Sequence, residues 1–262
     1  MQIGTLLLIT LGVTASAMLL LWVVSLILKD ASIVDSFWGI GFVIVAWTSY
    51  VLTDGYPLRK LILCSLVTIW GVRLGTHIFI RNHGKGEDYR YQAMRRHHGE
   101  KFWIVSLFTV FLFQGLLLWF ISMPLQIAQV SPLPNHLTLF DYLGVGLWAI
   151  GFAFEAIGDW QLKRFKADVA NKGKVMDRGL WRYTRHPNYF GDATLWWGYF
   201  LIACAVPNGW MTVLSPLTMT FFLMNVSGVS LLEKSLKKTK PAYADYIART
   251  SSFFPLPPRR MH

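Results

Sequence analysis

The chain has 262 residues, of which 54% are hydrophobic and only 15% charged, with a mean hydropathy of +0.41 and a net charge of +11. A water-soluble domain carries about 25% charged residues, so a charge-covered soluble surface is excluded. Long apolar runs with sparse charge read instead as an all-α, polytopic integral membrane helical bundle.

Taken in chain order, the apolar runs predict about seven transmembrane helices, each near the ~20 residues that a hydrocarbon core requires. The first covers residues 4–28 and ends at Lys29-Asp30. It lacks a basic lead-in and a small-residue cleavage site, so it reads as a span and not as a removed signal peptide. The second covers 33–52 and ends in "TDGYP"; the third covers 61–80. The fourth and fifth cover 102–123 and 140–162. The sixth, 191–206, is short, which suggests tilt or an end buried in protein. The seventh covers 209–232. Cys64 and Cys204 lie inside apolar runs without metal or redox spacing and read as small core residues; no metal site is expected.

Of the 25 basic residues, all but Lys29, Arg59, Lys60 and Arg73 fall in three segments: 81–101, 163–185 and the C-terminal tail. The positive-inside rule puts these segments in the cytoplasm. Seven spans then leave the N-terminus outside and the C-terminus inside, in the inner membrane if the source is bacterial. Arg59 and Lys60 are discordant. In a soluble protein such a net charge would raise nucleic acid as a partner. No basic helix or aromatic platform stands outside the spans, so membrane lipids and anionic small molecules are the expected partners, not nucleic acid.

Four stretches carry chemistry beyond lipid-facing filler. In "VDSFWG", Asp35 stands near the start of the second span; it is either wetted by head groups or set in a functional polar cavity. In "WGVRLGTHIFIRNHGKGEDYRYQAMRR", Arg73, His77 and Arg81 recur every four residues and share one helix face, leading into Tyr89 and Tyr91. Such a stripe can hold an anionic ligand and a proton donor, or touch lipid phosphates. In the fifth span, Glu155 and Asp159 lie four apart and must find cations or hold a proton. Gly144 and Gly146 there match a dinucleotide fingerprint in spacing only. That fingerprint needs a preceding strand, so helix packing is the better reading.

The fourth stretch is "NKGKVMDRGLWRYTRHPNYFGD". An ordinary basic loop accounts for Arg182 and Arg185. It does not account for Asn188, Tyr189, Gly191 and Asp192 in that order. An asparagine offers both donor and acceptor, which suits an amide such as nicotinamide. An arginine can fork onto phosphate. A tyrosine can stack or hydrogen-bond, and an aspartate can accept from ribose hydroxyls.

"GLWRYTRHPNYFGD" followed by "WWG", with Asp159 upstream and "YADYIARTSSFFPLPP" downstream, resembles the signature of membrane-embedded steroid 5-alpha-reductases and sterol reductases. The resemblance covers about residues 140–258. It implies a single membrane domain over 1–262, with helices of 1–135 on the substrate side and 136–262 holding NADPH from the cytoplasmic side. It also implies reduction of the activated C=C of an apolar enone, most simply a 3-oxo-Δ4 steroid. Onto the cofactor motif fall Asp159, Tyr183, Arg185, His186, Asn188, Tyr189 and Asp192, with Lys163, Arg164, Lys166 and Arg81 available for phosphates. The Gln-Glu pair that the steroid enzymes carry in span two is missing here. Asp35, Tyr91, Tyr89 and His77 are the remaining candidates for proton donation. The motif is also similar to that of isoprenylcysteine carboxyl methyltransferases, which bind S-adenosylmethionine, and Glu233, Tyr243 and Tyr246 fit that pattern. Asn188 and Asp192 favour the reductases.

Overall fold

The computed structural model describes residues 2–226, Val229, Glu233 and 243–259. It is an all-helical membrane bundle. Among the described residues, six helices are long and apolar enough to cross a membrane: Ile3–Leu28, Ile33–Leu52, Pro57–Asn82, Tyr89–Ile121, Leu139–Ala167 and Gly209–Val226. The remainder of the expected seventh span lies outside the described residues apart from Val229, as do Lys234, Lys237, Lys238, Lys240 and Arg260 of the basic tail. The expected short sixth span is a 17-residue helix, Pro187–Ala203.

The chain divides into two compact units, residues 1–138 with 203–212, and residues 139–202 with 213–262. The first unit contains α1 (Ile3–Leu28), α2 (Ile33–Leu52), α3 (Pro57–Asn82) and a fourth long helix. That helix begins at Tyr89, thirteen residues before the predicted start at 102. It runs as α4 (Tyr89–His98), a 3-10 turn, α5 (Phe102–Ser106), a π segment at Leu107–Leu112 and α6 (Phe113–Ile121). Its first ten residues, "YRYQAMRRHH", are polar, so hydropathy alone does not include them. Asp88 caps the helix by accepting from the Arg90 N–H at 3.0 Å. Short α7 (Met123–Ile127) follows.

α2 and α3 meet through glycines. A methyl group on Gly39 would lie 2.5 Å from the carbonyl oxygen of Gly71, and one on Gly75 2.8 Å from that of Ser36. Without a hydrophobic drive in lipid, this close approach is how membrane helices gain van der Waals contact. Arg59 and Lys60, discordant as surface cations, are buried. Arg59 donates to the carbonyls of Pro134 (3.4 Å) and His136 (3.0 Å). Lys60 donates to Thr53 O, the C-cap of α2, and lies 4.6 Å from the centroid of the Tyr50 ring. They are internal pins, so the positive-inside rule does not apply to them. Cys64 is also buried, as a core residue.

The second unit contains α8 (Leu139–Ala167), α9 (Pro187–Ala203), α10 (Leu214–Phe221) and α11 (Tyr243–Arg249). α8 and α9 pack through a ladder of glycines seven residues apart. Methyl groups on Gly144 and Gly151 would stand 2.7 and 2.6 Å from the carbonyl oxygens of Gly198 and Gly191. Gly158 faces Pro187 and the Asn188 backbone nitrogen, 3.3 Å from a notional methyl. Gly144 thus serves helix packing, as its position inside an apolar helix suggests. Gly146 has nothing within 4 Å. The two positions make opposite predictions. Gly151→Ala should lower stability by about 1–3 kcal/mol through overpacking. Gly146→Ala should be neutral or slightly stabilising, by up to about 1 kcal/mol from helix propensity. Thermal melts in detergent compare them, and equal effects would contradict the ladder.

Candidate functional site

Each unit holds a buried polar cluster. In the first unit, the N-terminal turn of α2 presents Asp35 to α4. Tyr91 donates its hydroxyl to Asp35 Oδ1 at 2.8 Å, and Arg90 donates to Oδ2 at 2.6 Å. The Tyr91 hydroxyl oxygen also accepts from Gln114 Nε2 at 3.3 Å. Tyr91 is 5% exposed. A carboxylate with a neutral phenol on one oxygen and a guanidinium on the other is a compact proton-relay geometry.

A frame of loop bonds fixes this pair. Glu87 accepts two bonds from Arg95 (2.8 and 2.9 Å) and one from the Ala31 amide (2.9 Å). The Asp88 amide donates to Ser32 Oγ at 3.2 Å. Burial opposes ionisation of Glu87 and Asp88, but the Arg95 and Arg90 guanidinium groups overcome it and hold both below the ordinary carboxylate range. The segment before α2 is thereby tied to the start of α4.

Of the four proton-donor candidates, the fold brings Asp35 and Tyr91 together. Tyr89, two residues before Tyr91, points to the other side of α4 and is 63% exposed. His77 is half-buried on α3, as is Arg73, while Arg81 is exposed and donates to its neighbour Asn82 at 3.2 Å. Arg81 thus belongs to the first unit, whereas all other cofactor candidates belong to the second.

In the second unit, the glycine contact at Gly158 sets Asn188 in the first turn of α9 against Asp159 on α8. Asn188 Nδ2 donates to Asp159 Oδ1 at 3.0 Å. Because a carboxylate oxygen accepts, this bond fixes the amide orientation. The other end of the amide, Oδ1, is buried and has no hydrogen-bond partner among the described residues. Buried acceptors are seldom left so. Asp192 follows one turn later, and Glu155 precedes Asp159 by one turn and is buried. Tyr189 stacks on His186, ring centroids 5.6 Å apart and 12° from parallel. Lys163, Arg164 and Lys166 are exposed at the end of α8, Arg164 lying 5.0 Å from the Trp160 ring centroid.

Arg185 and Tyr183 are placed differently from the rest of the motif. Arg185 is 8% exposed. Its Nε donates to Glu233 at 2.7 Å, and another nitrogen donates to the carbonyls of Thr250 (2.5 Å) and Ile247 (3.3 Å). Its backbone N–H donates to Ser251 O, and the Tyr183 carbonyl accepts from the Leu256 N–H at 3.0 Å. His186 lies 3.3 Å from the same Glu233 oxygen. These residues fasten the C-terminal segment. Burial would raise the Glu233 carboxyl, but His186 and Arg185 pull it down to about 2. Burial pushes the Tyr243 phenol up to about 12 and raises that of Tyr246, whose hydroxyl donates to the Trp181 carbonyl.

Sequence reasoning did not single out three contributors: Gln114, Arg90 as partner of Asp35, and the bond from Trp148 Nε1 to the Tyr199 hydroxyl at 2.8 Å. A lone glutamine inside "FLFQGLLLWF" was the available signal for the first, since an amide in a span needs a partner.

Apolar helices long enough to cross a bilayer, with buried polar clusters inside them, define a polytopic membrane protein. The chain belongs to the family described as "Protein of unknown function (DUF1295)", whose family model matches residues 21–250. It is similar to "Uncharacterized protein C594.04c" of Schizosaccharomyces pombe (strain 972 / ATCC 24843), 28% identical over 270 residues that cover 90% of this chain and 75% of that protein. No solved structure matches the chain.

Proposed function

We propose that the protein is a membrane-embedded NADPH-dependent reductase acting on the activated C=C of an apolar enone of steroid type. The observation that carries this reading is Asn188. Its nitrogen is held by Asp159, and its buried oxygen is left as an acceptor for one N–H of a carboxamide. The residues present fit a phosphorylated dinucleotide: an amide acceptor at one end, and Lys163, Arg164 and Lys166 exposed for phosphates on the same helix as Asp159. A cluster of Lys and Arg is the chemistry that a 2′-phosphate requires, which is the basis for NADPH over NADH. The positive-inside rule favours the cytoplasmic side for these basic loops.

NADPH, when bound, supplies a hydride. The chain's own task is to bind, orient and provide one proton. Asp159 orients the Asn188 amide, and Asn188 Oδ1 accepts from the nicotinamide carboxamide. Asp192 is an acceptor for ribose hydroxyls. Of the proton-donor candidates we assign the role to Tyr91, whose hydroxyl Asp35 and Gln114 hold in place and which would turn its O–H from Asp35 to the substrate. A phenol bonded to the substrate ketone oxygen stabilises the developing enolate by about 3–4 kcal/mol, by analogy with oxyanion-hole donors.

The second reading, an S-adenosylmethionine-dependent methyltransferase, rests on Glu233, Tyr243 and Tyr246. Glu233 accepts from Arg185 and Tyr246 donates to the Trp181 carbonyl, bonds that support a structural role for them over a methyl-donor site. Purified protein in detergent, melted with NADPH, NADH or S-adenosylmethionine, separates the readings. A ligand at 100 times its Kd adds about 2.7 kcal/mol. NADPH should raise the melting temperature most. Stabilisation by the methyl donor alone would overturn the reductase, and a preference for NADH would overturn the 2′-phosphate assignment.

A further inference from the structure

We propose that residues 254–258, "FPLPP", form an interfacial anchor that lies against the phospholipid bilayer. Depth is the first argument. The loop at 179–182 is fastened to α8 well before that helix ends: Trp181 Nε1 donates to Gly158 O at 3.0 Å, and the Leu180 N–H to Gln161 Oε1 at 3.0 Å. α8 continues to Ala167. At 1.5 Å per residue the fastening points lie about 9–13 Å inside the end of a helix long and apolar enough to cross the membrane. The C-terminal segment is fastened in turn to that loop. Thr184 Oγ1 donates to Phe253 O at 2.8 Å, and the Leu256 N–H donates to Tyr183 O at 3.0 Å. The segment is therefore held near head-group depth.

Its faces agree. Phe253 is 3% exposed and packs edge-on against Phe190 of α9, ring centroids 6.0 Å apart. Phe254 touches the same Phe190 ring only at its edge, centroids 6.2 Å apart, and it and Leu256 stay 61% and 55% exposed. Two large apolar side chains held outward at that depth meet acyl chains more favourably than water.

The backbone agrees as well. Residues 255, 257 and 258 are prolines and have no N–H. The N–H of Leu256 is already bonded. From Pro255 to Pro258 the backbone thus brings no unsatisfied donor into a region poor in water, which is the usual obstacle to irregular backbone there. Exposed Arg182 and Arg259 flank it and complement lipid phosphates. A second copy of the chain would bring the same cations and would repel.

The test uses the full chain in nanodiscs of phosphatidylcholine and phosphatidylglycerol. In a Cys64→Ala/Cys204→Ala background, Leu256→Cys and Phe254→Cys each carry an environment-sensitive fluorophore, with Lys172→Cys as the loop control. The anchor predicts that a spin-labelled lipid quenches the probes at 254 and 256 several-fold more than iodide does, with the order reversed at 172. Iodide quenching at 256 as strong as at 172 would overturn it. So would protection from both quenchers, because protein would then cover the segment. A second measurement leaves the native chain unchanged: a photo-crosslinking phosphatidylglycerol should label the peptide spanning 251–259, and its absence from that peptide would count equally against the anchor.

Discussion

Asn188→Ala is expected to weaken NADPH binding about 10- to 100-fold. A hydrogen bond made with a charged or buried partner is worth about 1.5–3 kcal/mol, and each 1.4 kcal/mol is about tenfold in Kd. Two such bonds depend on this side chain: the one it makes to Asp159, and the one its buried Oδ1 is proposed to accept from the carboxamide. At a concentration 100 times the wild-type Kd, ligand stabilisation is about 2.7 kcal/mol; a hundredfold weaker site retains only about 0.4 kcal/mol. The thermal shift caused by NADPH should therefore fall to about half at tenfold weakening and to about a seventh at hundredfold, and direct titration should show the weaker Kd. Lys172→Ala, at an exposed position outside the proposed site, should keep the full shift. If Asn188→Ala kept it too, the carboxamide assignment would be wrong. Asn188→Asp sharpens the comparison. It preserves shape but sets a second carboxyl against Asp159, so it should bind less well than the alanine variant at neutral pH.

The span architecture was legible because lipid imposes a strict rule: every backbone polar group must be satisfied within a helix, so long apolar runs have one outcome. The second span, 33–52, coincides with α2 to the residue. The fourth does not, because its first turns are polar and hydropathy cannot distinguish a polar helix from a polar loop. What marks them is the Asp88 cap, a local signal that a search for apolar length passes over. Arg59 and Lys60 were misleading for the opposite reason. A sequence shows a charge, but not whether carbonyls enclose it, and these two are internal.

The polar residues of the candidate sites were legible as types, and their pairings were not. Asp159 and Asn188 stand 29 positions apart, and what joins them is the Gly158 contact, a packing fact that no motif records. Asp35 and Tyr91 stand 56 positions apart, and the bonds of Glu87 to Ala31 and Arg95 and of Asp88 to Ser32 tie their two segments together. Arg185 shows the limit most clearly. Its position in "RYTRHPNYFGD" suggests a fork for phosphate, and an arginine fork suits a carboxylate equally well. Two backbone carbonyls of the C-terminal segment and Glu233 meet it instead.

That placement gives the second large expectation: Arg185→Ala should destabilise the second unit by about 3–5 kcal/mol, the cost of breaking a buried ion pair by removing one partner. Side-chain exposures of 8% for Arg185 and 14% for Glu233 justify treating the pair as buried. The carbonyls of Thr250 and Ile247 lose their donor as well. Arg185→Lys should recover only part, since an ammonium cannot reach a carboxylate and two carbonyls in the same plane. The pH dependence follows from Glu233, whose carboxyl is held down to about 2 from an ordinary 4.5. A depressed acid contributes stability that is fully present above its unfolded pKa and is lost as pH falls through the folded one. The gap between wild type and Arg185→Ala should therefore be constant near neutrality and close as the pH drops from about 4.5 to about 2. A cofactor ligand predicts something else: Arg185→Ala would then lose NADPH affinity with little change in the melting temperature of the ligand-free protein. Melting the ligand-free variant across that pH range decides between a clasp for the C-terminal segment and a phosphate fork.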